Sequence, residues 1–250
     1  MATHHTHHSG TYAGKKIDVL TTQASNVCLY NLSGKKTLTD SSYYGINGGF
    51  FSTNPISLAI SDGTVISEDN GWAGACIITW NGIYFEKFQP AQELSAATRK
   101  TLNESGTWAQ GGIAMRLGNT EWFAKALSDI DQTEDSIKSR DDLIDIYKNS
   151  RQRTALVVDT VSRNVFMFVT GMVVKNGSYV SETCSLAGMR AAIQEYLGIK
   201  DVRATDNTRY YGMFLDGGGS TQMKYRDGSK TTVIGGSRKL YQIVALRNDG

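Results

Sequence analysis

Apolar and polar residues alternate in short runs along most of the chain, the period-two pattern of strands with one buried face. Lys16–Leu20 and Asn26–Leu32 read as strands, with Ser33-Gly34-Lys35-Lys36 as the turn after them. Tyr43–Phe51 reads as a strand broken by Gly48-Gly49. Ile56–Ile60 and Gly63–Ile66 predict a hairpin around Ser61-Asp62-Gly63, and Ala75–Trp80 and Ile83–Phe88 another around Asn81-Gly82. Arg153–Val158 and Asn164–Thr170, rich in Val and Phe, predict a third through Asp159–Arg163. Gly111–Leu117, Tyr210–Leu215, Thr231–Ile234 and Lys239–Arg247 complete the predicted strands.

Three stretches change period. Pro90 opens a predicted helix from Ala91 to about Asn103, with Leu94, Ala97 and Thr98 on one face. Residues Asn119–Ser150, rich in Asp, Glu and Lys, read as one or two surface helices inserted between sheet elements. Ser185 caps a helix running to about Leu197, with Leu186, Met189, Ile193, Tyr196 and Leu197 facing the core and Gly198 ending it. Helices are few and do not alternate regularly with strands, so the expected class is α+β: a mixed, mainly antiparallel β-sheet core with a few flanking helices. The expected organisation is a tag-like or flexible leader over residues 1–12. A single domain follows over 13–250, with the helical insertion at about 119–150.

Composition narrows the chemistry. A chain of 250 residues can bury a full core, and its formal charge of +2 calls for no nucleic-acid or anionic-lipid partner. Apolar runs such as Ala155–Val158 and Val165–Val169 are too short to span a membrane. Cys28, Cys76 and Cys184 fit neither a disulfide framework nor a zinc pattern and read as buried thiols. The histidines are His4, His5, His7 and His8, all in the leader. The body therefore has no Ser-His-Asp triad, Cys-His dyad or histidine metal centre, and acid–base work falls to Asp, Glu, Lys, Tyr or Cys. The leader shows no apolar signal-peptide core, and the compartment is left open, extracellular or phage-particle action included.

Gly48-Gly49, Gly111-Gly112, Gly217–Gly219 and Gly235-Gly236 mark turns or ligand-facing loops. The most informative is Leu215-Asp216-Gly217-Gly218-Gly219-Ser220-Thr221, in which a strand places a carboxylate and three glycines then expose backbone amides suited to an anion. Its ending is not that of a Walker loop. Asn47-Gly48-Gly49-Phe50-Phe51 offers an amide for a sugar hydroxyl, with the phenylalanines read mainly as core. Arg153-Thr154 opens an apolar strand, where an arginine needs an anionic partner, either a protein carboxylate or a ligand phosphate.

These motifs, in this order and with an amphipathic helix between the last two, resemble the phosphodiester glycosidase family over roughly Tyr43 to Arg247. The chain departs from the family pattern in reading Gly111-Gly112-Ile113-Ala114 where a glycine-proline pair is usual. Gly188 and Met189 stand where an early helix glutamate is usual, and the connector Ile199–Arg209 is long. The resemblance implies hydrolysis between a sugar's anomeric carbon and a phosphodiester, of the N-acetylglucosamine-1-phosphodiester kind or within a cell-surface glycopolymer. Asp216, Glu182 and Arg153 are the implied catalytic residues. Asn47, Gly48, Gly49, Thr154, Gly217, Gly218, Gly219, Ser220 and Thr221 are the implied substrate contacts. No cofactor is implied, and a divalent cation at Asp216 has no supporting ligand spacing. Asp159 reads instead as part of its hairpin turn. The competing class is a non-catalytic glycan- or phosphate-binding module of the phage-tail or adhesin kind, which keeps the loops without turnover.

Overall fold

The computed structural model describes residues 4–67, 75–79, 83–87, 106–129, 133, 135, 146–175 and 178–248. In chain order the first strands are β1 (His5–Tyr12), β2 (Lys15–Gln23), β3 (Val27–Lys36), β4 (Gly45–Asn47), β5 (Ala59–Ser61) and β6 (Thr64–Ser67). They are followed by β7 (Ala75–Thr79), β8 (Ile83–Lys87), β9 (Trp108–Ala114) and helix α1 (Trp122–Ser128). Next come β10 (Thr154–Asp159), β11 (Asn164–Thr170), β12 (Met172–Lys175), β13 (Ser178–Ser181) and helix α2 (Leu186–Leu197). The last are β14 (Tyr210–Phe214), β15 (Gln222–Asp227), β16 (Lys230–Gly235) and β17 (Leu240–Leu246).

A large sheet runs β1-β2-β11-β10-β14-β9-β5-β6, with β7 joined to β9 and β8. A smaller one runs β16-β15-β4-β17-β3, and β12 pairs with β13. The strand pairs are antiparallel, which is the α+β, mainly antiparallel architecture the pattern predicts. The two sheets face each other across one core: Leu20, Leu156, Val158, Val165 and Met167 of the large sheet meet Val27, Leu29, Ile46, Met223 and Val244 of the small one. The opposite face of the large sheet, with Ile17, Val19, Ala155, Val157, Phe168 and Phe214, lies under Leu186, Met189 and Ile193 of α2 and Ala126 and Leu127 of α1. Buried on both faces, β10 is apolar at successive positions, and its two cores draw on alternate residues.

Helix α2 begins and ends where its residues require. Ser185 Oγ accepts from the Gly188 N–H, and Gly198 closes the helix with φ 69°. The Asp62-Gly63 turn joins β5 to β6 with both residues at positive φ, as a two-residue hairpin needs. The hairpin of β7 and β8 forms as predicted, while the helix expected over Ala91 to Asn103 lies outside the described residues. Of the expected insertion, residues 119–129 with α1, 133, 135 and 146–150 are described.

Two expectations need correction. Ser33-Gly34 is not the end of a strand but an irregularity inside β3, where both residues take positive φ while pairing with β17 resumes at Lys36. The leader is not free either. His5–Tyr12 pairs residue for residue with β2, and His7 stacks on Tyr225 at 4.1 Å and bonds Asp18 at 2.8 Å. An open β2 edge with aromatic surface beside it gives the leader both backbone partners and something to pack on.

The long connector after α2 is pinned by buried charge. Arg190 makes a two-pronged bond to Asp201 at 2.6 and 2.7 Å. Arg116 reaches Asp206 at 2.8 Å and grips Asp129 at the end of α1. The start of β14 is thereby fixed, and with it the direction in which the strand delivers Asp216.

Candidate active site

The chain crosses from the large sheet to the small one at Leu215–Thr221. The Leu215 N–H donates to Thr154 O (2.9 Å), the Asp216 N–H to Gly48 O (3.2 Å), and a short 3-10 turn over Gly218–Ser220 then leads into β15. Because β4 lies between β15 and β17, its end at Asn47 falls beside this crossover, as does the start of β10 at Arg153-Thr154. All three sequence motifs therefore meet at one end of the sandwich.

Asn47 is the knot between them. Its Nδ2 donates to Asp216 O (2.8 Å), and its Oδ1 accepts from the Gln222 N–H (3.0 Å) and from Thr154 Oγ1 (2.7 Å). Thr154 Oγ1 also lies 3.3 Å from Thr221 Oγ1. Asn47, Thr154, Ser220 and Thr221 are all fully buried. The side-chain hydrogen bonds of Asn47, Thr154 and Thr221 run to one another and to the crossover backbone, whereas the Ser220 hydroxyl faces Arg238 and Asp216.

The glycines divide in the same way. A Cβ on Gly48 would fall 2.0 Å from Gln242 Oε1, and one on Gly49 would fall 2.6 Å from Ser57 Oγ. Close packing, not ligand access, excludes side chains there. Gln242 in turn accepts from the Gly49 N–H (2.8 Å) and donates to Gln110 Oε1 (2.7 Å), a buried network with no obvious sequence signal. In the Asp216 loop the Gly217 N–H donates to Asp216 Oδ1 (3.0 Å) and the Gly218 N–H to Gln152 O (2.8 Å). Those two amides are already engaged, so the expected three-amide anion nest is reduced to its exposed tip, Gly219.

Asp216 itself is the most informative side chain. Its carboxylate is 14% exposed, and Oδ2 has no hydrogen-bond partner among the described residues. Burial pushes the carboxyl up to about 6, against the opposing pull of the Ser220 hydroxyl, the Arg238 charge and the Gly217 N–H. A buried carboxylate with a raised pKa and an unpartnered oxygen is the kind of group that clusters at functional sites.

Arg238 faces it from the loop between β16 and β17. Its Nη1 lies 3.9 Å from Asp216 Oδ2 and donates to Ser220 Oγ at 3.2 Å, and half of the side chain is open to solvent. The loop is tied down by the Gly236 N–H on Thr221 O (2.8 Å) and by Gln222 Nε2 on Arg238 O (2.7 Å). Sequence reading missed this residue; its one signal was the Gly235-Gly236 pair just before it.

Arg153 is buried behind the loop. Its Nε donates to Cys184 O (3.0 Å) and Nη2 to Asn149 O (2.6 Å), while Nη1 lies 3.8 Å from where a Gly217 Cβ would stand. The side chain passes beside Gly217 and is anchored on the backbone of Cys184 and Asn149. Glu182 joins a neighbouring cluster, accepting from the Thr183 N–H (3.0 Å) and facing Lys15 Nζ at 3.8 Å. Asp159 lies at the far end of β10 and is saturated by Arg209 (2.7 Å), the Val161 N–H and the Ser162 N–H, which hold its carboxyl well below the usual range. Among the described residues no three His, Cys, Asp or Glu side chains gather as a metal site.

Comparison with known families identifies the family of the chain. The phosphodiester glycosidase family matches residues 40–245, a span that carries all three motifs and Arg238. The chain belongs to the phosphodiester glycosidase family. Among solved structures it is similar to the zebrafish N-acetylglucosamine-1-phosphodiester alpha-N-acetylglucosaminidase catalytic domain, auto-inhibited by its pro-peptide. That match has TM-score 0.59 and 15% identity, and covers 98% of this chain and 82% of that one. It is also similar to a hypothetical protein from Synechocystis, with TM-score 0.52 and 12% identity, over 96% of this chain and 61% of that one. At such identities the likeness is one of fold. No curated protein sequence matches the chain. At this end of the sandwich Asp216, Gly218 and Phe51 are partly exposed and Gly219 and Arg238 are exposed. No helix among the described residues is long and apolar enough to cross a membrane.

Proposed function

We propose that the protein hydrolyses the bond between a sugar's anomeric carbon and a phosphodiester, with an N-acetylglucosamine-1-phosphodiester as the substrate class. The observation that carries this reading is the unpartnered Oδ2 of Asp216 facing the half-exposed guanidinium of Arg238 across 3.9 Å. The gap between a base and a cation suits a reaction in which a neutral carbon is attacked and an anion leaves.

In this reading Arg238 and the Gly219 amide hold the phosphate, whose single negative charge one guanidinium balances. Asp216, ionised, takes a proton from water through Oδ2. The water oxygen bonds to the anomeric carbon, and the carbon–oxygen bond to the phosphate breaks with its electron pair leaving on the phosphate. A phosphate monoester is a good leaving group, so the scheme needs no second carboxylic acid. The position of Glu182, paired with Lys15, accords with that. Asn47, Thr154, Ser220, Thr221 and Arg153 keep the loop in shape. The open side of Arg238 leaves room for the aglycone to continue outward as part of a glycopolymer.

The test is sugar release from a synthetic N-acetylglucosamine-1-phosphodiester in ¹⁸O-water. Label in the sugar, inversion at the anomeric carbon and loss of turnover in Asp216→Asn are expected. Retention would make Asp216 the nucleophile instead. A wild-type protein that binds the substrate but never releases sugar would make it a binding module.

A further inference from the structure

Arg238 is a long, half-exposed side chain on a loop, and such a side chain ordinarily samples many rotamers at a free-energy cost to any site that needs it in one. Here it has a platform. The guanidinium carbon lies 4.4 Å from the centre of the Phe51 ring, over its face. A guanidinium held over an aromatic face gains cation–π attraction and loses rotamer freedom before any ligand arrives. From that position Nη1 donates to Ser220 Oγ and lies across from Asp216 Oδ2.

The platform is itself fixed. Phe51 packs at 5.1 Å against Tyr241 of β17, and the Tyr241 hydroxyl donates to Thr53 O, closing the loop that a bridge between Phe51 and Pro55 begins. Beneath Phe51 lies the small core of Cys28, Leu32, Leu38, Leu240, Ile243 and Ala245. Its neighbour Phe50 goes the other way, into the core under α2. The paired phenylalanines thus have separate duties, one as core and one as support for a cation.

We infer that Phe51 is a positioning residue of the site: its ring holds the Arg238 guanidinium over its face and keeps Nη1 aimed at the phosphate beside Asp216. The inference rests on the reading of Arg238 as the phosphate ligand.

The experiment compares wild type, Phe51→Met, Phe51→Tyr, Arg238→Ala and the Phe51→Met/Arg238→Ala double variant, with Phe51→Leu made in case the Met variant folds poorly. Two readouts are taken: kcat/KM on the synthetic phosphodiester, and the titration of the Asp216 carboxyl by ¹³C NMR without substrate. The charged groups around that carboxyl are Arg238 from the β16–β17 loop and Arg153 Nη1 beneath Gly217, with the Ser220 hydroxyl and Gly217 N–H as neutral donors. Releasing Arg238 therefore raises the Asp216 titration, whereas a general loosening of the fold would not single it out.

Phe51→Met is expected to lower kcat/KM about 3- to 30-fold and to move the Asp216 titration upward, toward that of Arg238→Ala. Phe51→Tyr, which keeps the ring, is expected to match wild type. In the Arg238→Ala background Phe51→Met should add nothing further. An equal loss with and without Arg238, or an Asp216 titration unmoved by Phe51→Met, overturns the inference. The titration decides the Phe51 question even if no hydrolysis is found, and absence of hydrolysis in the wild type overturns only the functional reading.

Discussion

Asp159 and Asp216 stand at opposite ends of one pair of strands. Asp159 closes β10 where β14 begins, and Asp216 follows β14 where β10 begins. Both are acidic residues at strand ends, both are largely withdrawn from solvent, and each has an arginine in front of it. Asp159 receives two bonds from Arg209 and two from turn amides, and its ionised form is favoured. Asp216 has the Gly217 N–H, the Ser220 hydroxyl and the more distant Arg238 charge, keeps Oδ2 without a hydrogen-bond partner among the described residues, and its ionised form is penalised by burial. Placement by a strand end is common to both; what separates the two carboxylates is burial set against the donors around each.

The largest expected consequence is in turnover. Asp216→Asn should lower kcat/KM on the phosphodiester by about 10²–10⁴-fold, while Asp159→Asn, at the far end of the strand, should leave it within a few-fold of wild type. Comparable losses in both would break the contrast. Arg238→Ala should cost about 10²–10³-fold, and Arg238→Lys should restore part of it. Arg209→Ala, its counterpart at Asp159, should not change turnover.

Stability should move in opposite directions. The carboxyl of Asp159 is held low, so its contribution is present above the unfolded value near 4 and is lost as pH falls below it. Asp159→Asn should therefore destabilise by about 1–3 kcal/mol at pH 7, with little difference in strong acid. The carboxyl of Asp216 is held high, at about 6, so ionisation works against the fold increasingly from pH 4 to 6 and fully above that. Asp216→Asn should stabilise by roughly 2 kcal/mol at pH 8, and the gain should vanish below pH 4. Urea unfolding at the three pH values reads both signs; equal signs would mean that burial and donor count do not distinguish the two carboxylates. The smallest effect is in the pH–rate profile, where kcat/KM should rise as pH rises through about 6, as Asp216 ionises. A falling limb there would reassign Asp216 as an acid.

Much of this was legible before any coordinates. Hairpins such as β10–β11 and the capped helix α2 are local events, decided by alternation, Ser185 and Gly198. The motif residues Asp216, Asn47 and Arg153 were visible because glycine clusters and an arginine before an apolar strand are unusual in a row. What could not be read was which way each residue faces once the motifs meet. Asn47, Thr154 and Thr221 looked like ligand contacts because polar groups beside glycines look alike in sequence, whether they bond a sugar or one another.

By itself, then, the sequence determined the antiparallel sheet elements, the helix ends and the acidic residue at the crossover, because each depends on neighbours a few positions away. Tertiary structure alone decided that the histidine-bearing leader is an edge strand, that Arg153 is buried on the Cys184 carbonyl, and that Arg238 lies opposite Asp216 on the Phe51 ring. Those outcomes depend on sheet order, which brings β4, β10, β15 and the β16–β17 loop to one end of the sandwich. Long-range pairing of that kind sets the donors around a buried carboxylate, and so its acidity, without leaving a mark at the residue itself.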